Sequence, residues 1–270
     1  SPPRRTAVPS LEEILGFVLP TLIIWLSSPI LSLIDTSVVG KRCSLASLAA
    51  LGPSTKACDN LAYLCTALGS ATTSLAAAEF ATGRPEAARR IIGAALTVGT
   101  VLGVGIGAAL LAGAQPLMGL LLAGAGDAAT GAAFASAVDY TAIRALGFPV
   151  AMVSLVLQSA FLAAKDAHSP VLVVPFAALS NLAGDLLLVG PLKMGVAGAA
   201  WATVISQAVS AVLLLFMWER KQRTIVAASV PAWSPSQPGS GGELSPPPAA
   251  AVSPGAAILR AVGEQLTGFV

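Results

Sequence analysis

The chain has 270 residues, of which 55% are hydrophobic and only 10% are charged, and its mean hydropathy is +0.81. This composition is too apolar for one water-soluble core, so lipid must be its solvent. The net charge of +2 is small, and no basic stripe interleaves with aromatic residues, which argues against nucleic acid as a partner.

Charge-free apolar runs predict the membrane helices. A helix needs roughly 20 mostly apolar residues to cross a hydrocarbon core about 30 Å thick. Runs of that size predict six spans, the fifth of them interrupted by Asp185: residues 14–34, 60–78, 91–126, 145–164, 169–192 and 194–218. We therefore predict an all-α integral membrane protein whose bundle of six transmembrane helices occupies residues 11–223, with the lipid bilayer as its surroundings.

The third span has two notable features. Because proline has no N–H to donate and crowds the preceding turn, we expect Gln115 and Pro116 to end the helix and residues 117–122 to lie at the membrane interface. Gly99, Gly103 and Gly107 recur every four residues and so share one helical face. Small residues on one face predict close approach of a neighbouring helix.

The flanking segments differ in composition from the bundle. Beyond Arg223 the chain turns to Pro, Ser, Gly and Ala, a mixture that buries too little apolar area to fold. We predict a tail over residues 1–10, a disordered linker over residues 224–255, and the start of a further transmembrane segment over residues 256–270. The chain lacks an initiator methionine and ends within that apolar stretch, which predicts a processed or partial protein.

Few residues suggest catalysis. Cys43, Cys58 and Cys65 form no CxxC or Cys/His cluster, so neither a zinc site nor a disulfide framework is predicted. His168 is the only histidine and is expected in a solvated loop, and no G-x-S-x-G run accompanies it. We predict no enzyme, no catalytic residues and no cofactor.

Carboxylates near or inside the spans point instead to ion binding. An ionisable side chain in a membrane helix is costly and needs a partner, a cavity or a function. Asp35 follows the first span, Asp59 opens the second, and Asp185 lies deepest, with Asn181 four positions before it on the same helical face. Carboxylate and amide oxygens bind hard cations such as Na⁺, and a carboxylate can instead take a proton. The alternative is that Asp185 pairs with Asn181 or a basic residue only to hold helices together.

Two prolines and a glutamine complete the candidate residues. Pro20 lies within the first span, where it is expected to bend the helix and leave a carbonyl free. Pro149 and Gln158 in the fourth span fit the lining of a polar cavity, and helix–helix hydrogen bonding explains Gln158 equally well.

Several motifs, in order, resemble one transporter family. DTSVVG at residues 35–40 is similar to the signature at the end of the first helix in the multidrug and toxic compound extrusion (MATE) family. NLAGD at residues 181–185 resembles the N-x-x-x-D of that family's fifth helix, and GVAGAAWAT at residues 195–203 resembles the run that opens its sixth. Pro20 stands at the place of the first-helix proline. LAALGP at residues 48–53 and Lys165-Asp166 look most like the plastid-type, DinF-related members.

This resemblance implies the N-terminal lobe of a twelve-helix transporter. It implies a secondary antiporter that exports small organic compounds, xenobiotic or ionic, in exchange for H⁺ or Na⁺, with a C-terminal six-helix lobe as partner and the chloroplast envelope as a location. Asp35, Asn181, Asp185 and Thr203 would form the cation site, and Pro20 the helix bend. An inactive or partner-dependent half-transporter, or a structural membrane protein, is the alternative, because one lobe supplies only one wall of the central cleft.

Overall fold

The computed structural model describes residues 11–123, 127–229 and 253–267. Within these ranges the chain forms eight α-helices and no strand. Helix is the expected result for so apolar a chain, because a helix satisfies its own backbone hydrogen bonds where no water is present. The helices are α1 (Leu11–Arg42), α2 (Leu45–Leu64), α3 (Thr66–Ala81), α4 (Pro85–Leu122), α5 (Asp127–Ala163), α6 (His168–Leu188), α7 (Gly195–Ser229) and α8 (Pro254–Thr267).

The membrane-crossing segments agree with the predicted architecture. Five segments are long and apolar enough to cross a bilayer: Leu48–Ala81, Pro85–Leu122, Ala133–Ala163, His168–Leu188 and Gly195–Ile225. The first of these comprises α2 and α3, which join at Cys65. Helix α1 has 32 residues and contains a shorter apolar stretch, Ile14–Leu26. At about 1.5 Å per residue it also exceeds the thickness of the hydrocarbon core. The prediction of an all-α membrane bundle is confirmed.

The predicted break in the third span is wrong. Helix α4 runs through Gln115 and Pro116 to Leu122. Pro116 removes one intrahelical hydrogen bond, but Met118 and Leu122 beyond it are buried against Ala50 of α2 and Ala137 of α5. This packing keeps the last turn helical, so the turn belongs to the bundle.

The glycine stripe of α4 packs on α5, as predicted. Gly99, Gly103 and Gly107 are all buried. A Cβ atom at Gly103 would lie 2.7 Å from the Cα atom of Pro149, and one at Gly107 would lie 2.6 Å from the carbonyl oxygen of Ala145. Only glycine at these positions lets the backbones of α4 and α5 approach so closely. The two long helices therefore form one tightly packed unit.

Replacing Gly103 with alanine is expected to destabilise this unit by roughly 1–3 kcal/mol, because the added methyl group meets backbone atoms that have no room to move. Gly105 provides the control, since it is exposed on the same helix and a Cβ atom there meets nothing within 4 Å. Thermal unfolding in detergent should show a lower midpoint for Gly103→Ala and an unchanged or higher midpoint for Gly105→Ala. Equal thermal midpoints for the two variants would contradict the close contact between α4 and α5 at Gly103.

An ion pair ties the connection between α5 and α6 to α7. The carboxylate of Asp166 accepts hydrogen bonds from the backbone N–H of Ser169 at 2.9 Å and from its hydroxyl at 2.7 Å. Lys221 Nζ donates to the same carboxylate at 2.5 Å. Burial raises the pKa of Asp166, but the hydrogen bonds from Lys221 and Ser169 outweigh it and leave the pKa below its ordinary value.

Because the folded-state pKa of Asp166 is depressed, this cluster should stabilise the fold at any pH above the unfolded-state pKa of about 4. The contribution is lost as the pH falls through the lower, folded-state pKa. We expect Asp166→Asn to have a lower thermal midpoint than the wild type at pH 7, by the equivalent of roughly 1 kcal/mol, and the difference to vanish in acid. Glu86→Gln, which neutralises an exposed partner of Arg89, is the control. If the thermal midpoints of the wild type and Asp166→Asn differed by the same amount at every pH, the stabilising role of the Asp166 carboxylate would be contradicted.

The segments after the bundle are only partly described. Helix α7 continues through Ser229, beyond the predicted end at Arg223, because no helix breaker occurs before Pro231. The predicted tail and residues 230–252 of the predicted linker lie outside the described residues. Helix α8 packs on α3 and α4 through Ile258, which is fully buried against Leu68 and Ala95. That residues 256–270 begin a further transmembrane segment stays a prediction.

Candidate functional site

Three predicted residues meet inside the bundle around the carboxylate of Asp35. Its Oδ1 atom accepts a hydrogen bond from Asn181 Nδ2 at 2.8 Å, and its Oδ2 atom accepts one from Thr203 Oγ1 at 3.0 Å. The residues come from α1, α6 and α7, and all three are buried. They converge because α6 packs against both α1 and α7.

Asp185 completes the cluster one helical turn beyond Asn181. Its side chain is fully buried, and its carboxyl group directly neighbours that of Asp35. Among the described residues, no N–H or hydroxyl group donates to either oxygen of Asp185 or to Oδ1 of Asn181. Buried oxygens without donors are rare in proteins. Two adjacent carboxylates cannot both stay charged in a low dielectric without a cation or a shared proton. The arrangement is therefore suited to a small cation or a proton.

Glycine makes this convergence possible. A Cβ atom at Gly184, next to Asp185, would lie 2.8 Å from the Cβ atom of Ala202. A Cβ atom at Gly198 would lie 2.9 Å from the carbonyl carbon of Leu188. The small residues of the GVAGAAWAT run thus bring α7 against α6, and Thr203 follows directly in that run. The motif positions the cluster by permitting close helix packing.

A cavity of about 320 Å³ adjoins the cluster. Asp35 and Thr203 form part of its wall, whereas Asn181 and Asp185 are not among the lining residues and lie deeper. Other residues of the lining offer amide, hydroxyl, aromatic and aliphatic groups: Ile24, Trp25, Thr55, Tyr63, Met152, Ser154, Leu155, Gln158, Ser206, Gln207 and Ser210. The cavity is thus amphipathic. Gln158 lies in its wall as expected, but Pro149 is absent from the lining and packs against Gly103 instead.

Another part of the cavity wall carries an ion pair. Arg144 Nη2 donates to Asp59 Oδ1 at 3.2 Å, and the side chains are 10% and 33% exposed. One turn before Arg144, the buried Tyr140 accepts a hydrogen bond from the hydroxyl of Thr55 at 3.4 Å. The sequence assigns no functional role to Arg144, because the charge-free run that predicts the fourth span begins only at residue 145. The apolar segment actually starts at Ala133, and this places Arg144 within the membrane helix.

The remaining candidate residues lie apart from the cluster. Pro20 is buried within α1, and the same helix contains a second proline, Pro29. His168 is exposed at the first residue of α6 and is not in the loop itself. The three cysteines, Cys43, Cys58 and Cys65, are free thiols.

Comparison with known proteins agrees with this architecture. The MatE family model matches residues 20–187. The chain is 33% identical over 231 residues to Protein DETOXIFICATION 47, chloroplastic, of Arabidopsis thaliana, which covers 82% of this chain and 40% of that protein. It is 30% identical over 199 residues to the DNA damage-inducible protein F of Escherichia coli K12, which covers 74% of this chain and 42% of that protein.

A crystal structure of MATE in the bent conformation has the same fold, with a TM-score of 0.72 at 23% identity. The alignment covers 84% of this chain and 49% of that chain. The chain therefore spans less than half the length of these three relatives.

Proposed function

The chain belongs to the MATE (multidrug and toxic compound extrusion) family, and from this premise we propose that it forms the cation-binding lobe of a secondary antiporter. The antiporter would export small organic compounds in exchange for Na⁺ or H⁺. The observation that carries the proposal is the buried cluster of Asp35, Asn181, Asp185 and Thr203, with its three oxygens that lack donors. This cluster adjoins an amphipathic cavity.

The proposed coupling follows from electrostatics within the cluster. A bound cation or proton removes the repulsion between the carboxyl groups of Asp35 and Asp185 and draws them together. When the cation leaves, that repulsion favours separation of α1 from α6. Helix α1 contains Pro20 and Pro29, each of which removes an intrahelical hydrogen bond and makes bending easier. Cation occupancy would in this way bias the conformation of α1 and the opening of the cleft.

The transported compound and the second lobe are part of the same proposal. The cavity lining combines the aromatic residues Trp25 and Tyr63 with the amide of Gln207, a mixture suited to organic molecules that carry some polar groups. Since the chain spans less than half of its relatives, a second six-helix lobe would supply the other wall of the cleft. A chloroplast membrane is the proposed location, by analogy with the chloroplastic relative.

The test is transport by the full-length protein in liposomes. Vesicles are loaded with ethidium, an organic cation, or with carboxyfluorescein, an organic anion, and then given an inward gradient of Na⁺ or of H⁺. We expect at least one dye to leave faster under one gradient, and a reversed gradient to drive that dye in the opposite direction. Protein-free vesicles and the 270-residue chain alone are the controls. The antiporter assignment fails if efflux of both dyes is indifferent to both gradients.

A further inference from the structure

Arg144 shares a cavity with the cation site, although α5 carries no residue of that site. Among the described residues that line this cavity, Arg144 is the only lysine, arginine or histidine. Arg144 Nη2 donates a hydrogen bond to Asp59, whereas among the described residues no group accepts one from its buried Nε atom. A guanidinium group inside a membrane helix is costly to keep, so its charge calls for a function beyond helix packing.

The ionisable groups around Arg144 come from several helices. Asp59 and Cys58 of α2, Tyr140 of α5 and Asp35 of α1 are all close enough for electrostatic interaction with it. Asp185 of α6 adjoins Asp35 and so belongs to the same group of charges. The lining residues contributed by α7, among them Thr203 and Gln207, carry no charge. Arg144 is therefore paired with one acidic residue, Asp59, and interacts electrostatically with Asp35 of the cation site.

We propose that Arg144 is a positioning residue that sets the cation affinity of the Asp35–Asp185 pair, and that Asp59 restrains it by neutralising part of its charge. This inference rests on the proposed function, because it assigns a regulator to the same cation site. It adds a role for two residues that are not ligands of the cation.

The sign of each effect follows from Coulomb's law. The positive charge of Arg144 stabilises the carboxylates of the site when they are empty and repels a cation that approaches them. Asp59 weakens both effects, because its carboxylate lies 3.2 Å from the guanidinium group. Loss of the charge on Arg144 should therefore raise the cation affinity of the site, and loss of the charge on Asp59 should lower it. A change of about tenfold is expected for a unit charge roughly 10 Å away at intermediate dielectric.

The experiment compares Arg144→Gln, Asp59→Asn and the double variant in the full-length protein in liposomes. The measured quantity is the concentration of the coupling cation, Na⁺ or H⁺, that gives half-maximal efflux of the transported dye. We expect this concentration to fall about tenfold in Arg144→Gln, to rise about tenfold in Asp59→Asn and to return close to the wild-type value in the double variant. Arg144→Lys keeps the charge and should stay near the wild type. If Arg144→Gln does not fold, the rise in Asp59→Asn and its reversal in the double variant still test the proposal.

A matched control uses the remote ion pair. Lys221→Gln removes a positive charge and Asp166→Asn a negative one, as in the pair Arg144→Gln and Asp59→Asn, but at the end of the bundle. Both variants should leave the half-maximal cation concentration unchanged. A purely structural role for the Arg144–Asp59 pair predicts shifts of the same sign in both single variants, or none, and either result overturns the inference. If Asp185→Asn abolishes coupling while the Arg144 and Asp59 variants show no opposite shifts, only the inference fails. If wild-type efflux ignores both cations, the proposed function itself fails.

Discussion

Asp185→Asn is expected to reduce cation-coupled efflux by roughly a hundredfold, and Asp35→Asn to do the same, because loss of a buried charged partner costs about 2–5 kcal/mol. Asparagine has nearly the shape of aspartate, so the helices should still pack. The variant side chain carries no charge, however, and it cannot take up a proton. A cation at this site would therefore lose one of its two carboxylates, and proton coupling would lose one of the two groups that share the proton.

Asp139→Asn is the matched control for this prediction, since Asp139 is an exposed carboxylate on α5. Dye efflux from vesicles under a cation gradient should be near normal in Asp139→Asn and close to background in both site variants. Thermal unfolding should show that all three proteins are folded. Undiminished, still cation-dependent efflux in both Asp35→Asn and Asp185→Asn would refute the site.

Gly184→Val should disrupt the same site without changing any of its four residues. The valine side chain would collide with Ala202 of α7, because even its Cβ atom would lie only 2.8 Å from the Cβ atom of Ala202 and 3.0 Å from its Cα atom. Separation of α6 from α7 would move Asn181 and Thr203 away from each other, so that Asp35 can keep at most one of its two hydrogen bonds. We expect a loss of roughly 1–3 kcal/mol in stability together with loss of cation-coupled efflux.

Ala183→Val is the control for Gly184→Val, since Ala183 is exposed on the same helix and the same side chain is introduced. The measurements are the thermal midpoint in detergent and the cation dependence of efflux. A Gly184→Val variant that matches Ala183→Val in both would show that α6 and α7 do not need this close contact.

The sequence predicted those parts of the site that follow from local spacing. Asn181 and Asp185 are four residues apart on one helix, so their shared face follows from helical geometry alone. Asp35 stood out because a carboxylate at the end of an apolar span is costly. Thr203 is chemically ordinary by itself, and only the resemblance of its motif to a known family pointed to it. That all four residues meet depends on the packing of α1, α6 and α7, which residue spacing does not encode.

Two of the three errors have a common physical origin in tertiary contacts. Pro116 was expected to end α4, yet burial of Met118 beyond it outweighs one lost hydrogen bond. The charge of Arg144 predicts the edge of a span because an unpaired charge is excluded from lipid, yet its partner Asp59 lies on another helix. The predicted linker began too early because α7 continues past its last charged residue to Ser229. Each prediction considered a single segment, whereas each outcome was decided by a neighbouring one or by the absence of a breaker.

The depth of the four cluster residues has a consequence for the proposed ion exchange. Asn181 and Asp185 lie behind the cavity wall, and only Asp35 and Thr203 reach it. An ion travelling inward would meet the outer pair first and would have to shed its hydration shell before it reached the inner oxygens. Departure would follow the same route in reverse. A large or tightly hydrated ion would then stall at the entrance, so the burial of Asp185 would itself act as a size filter.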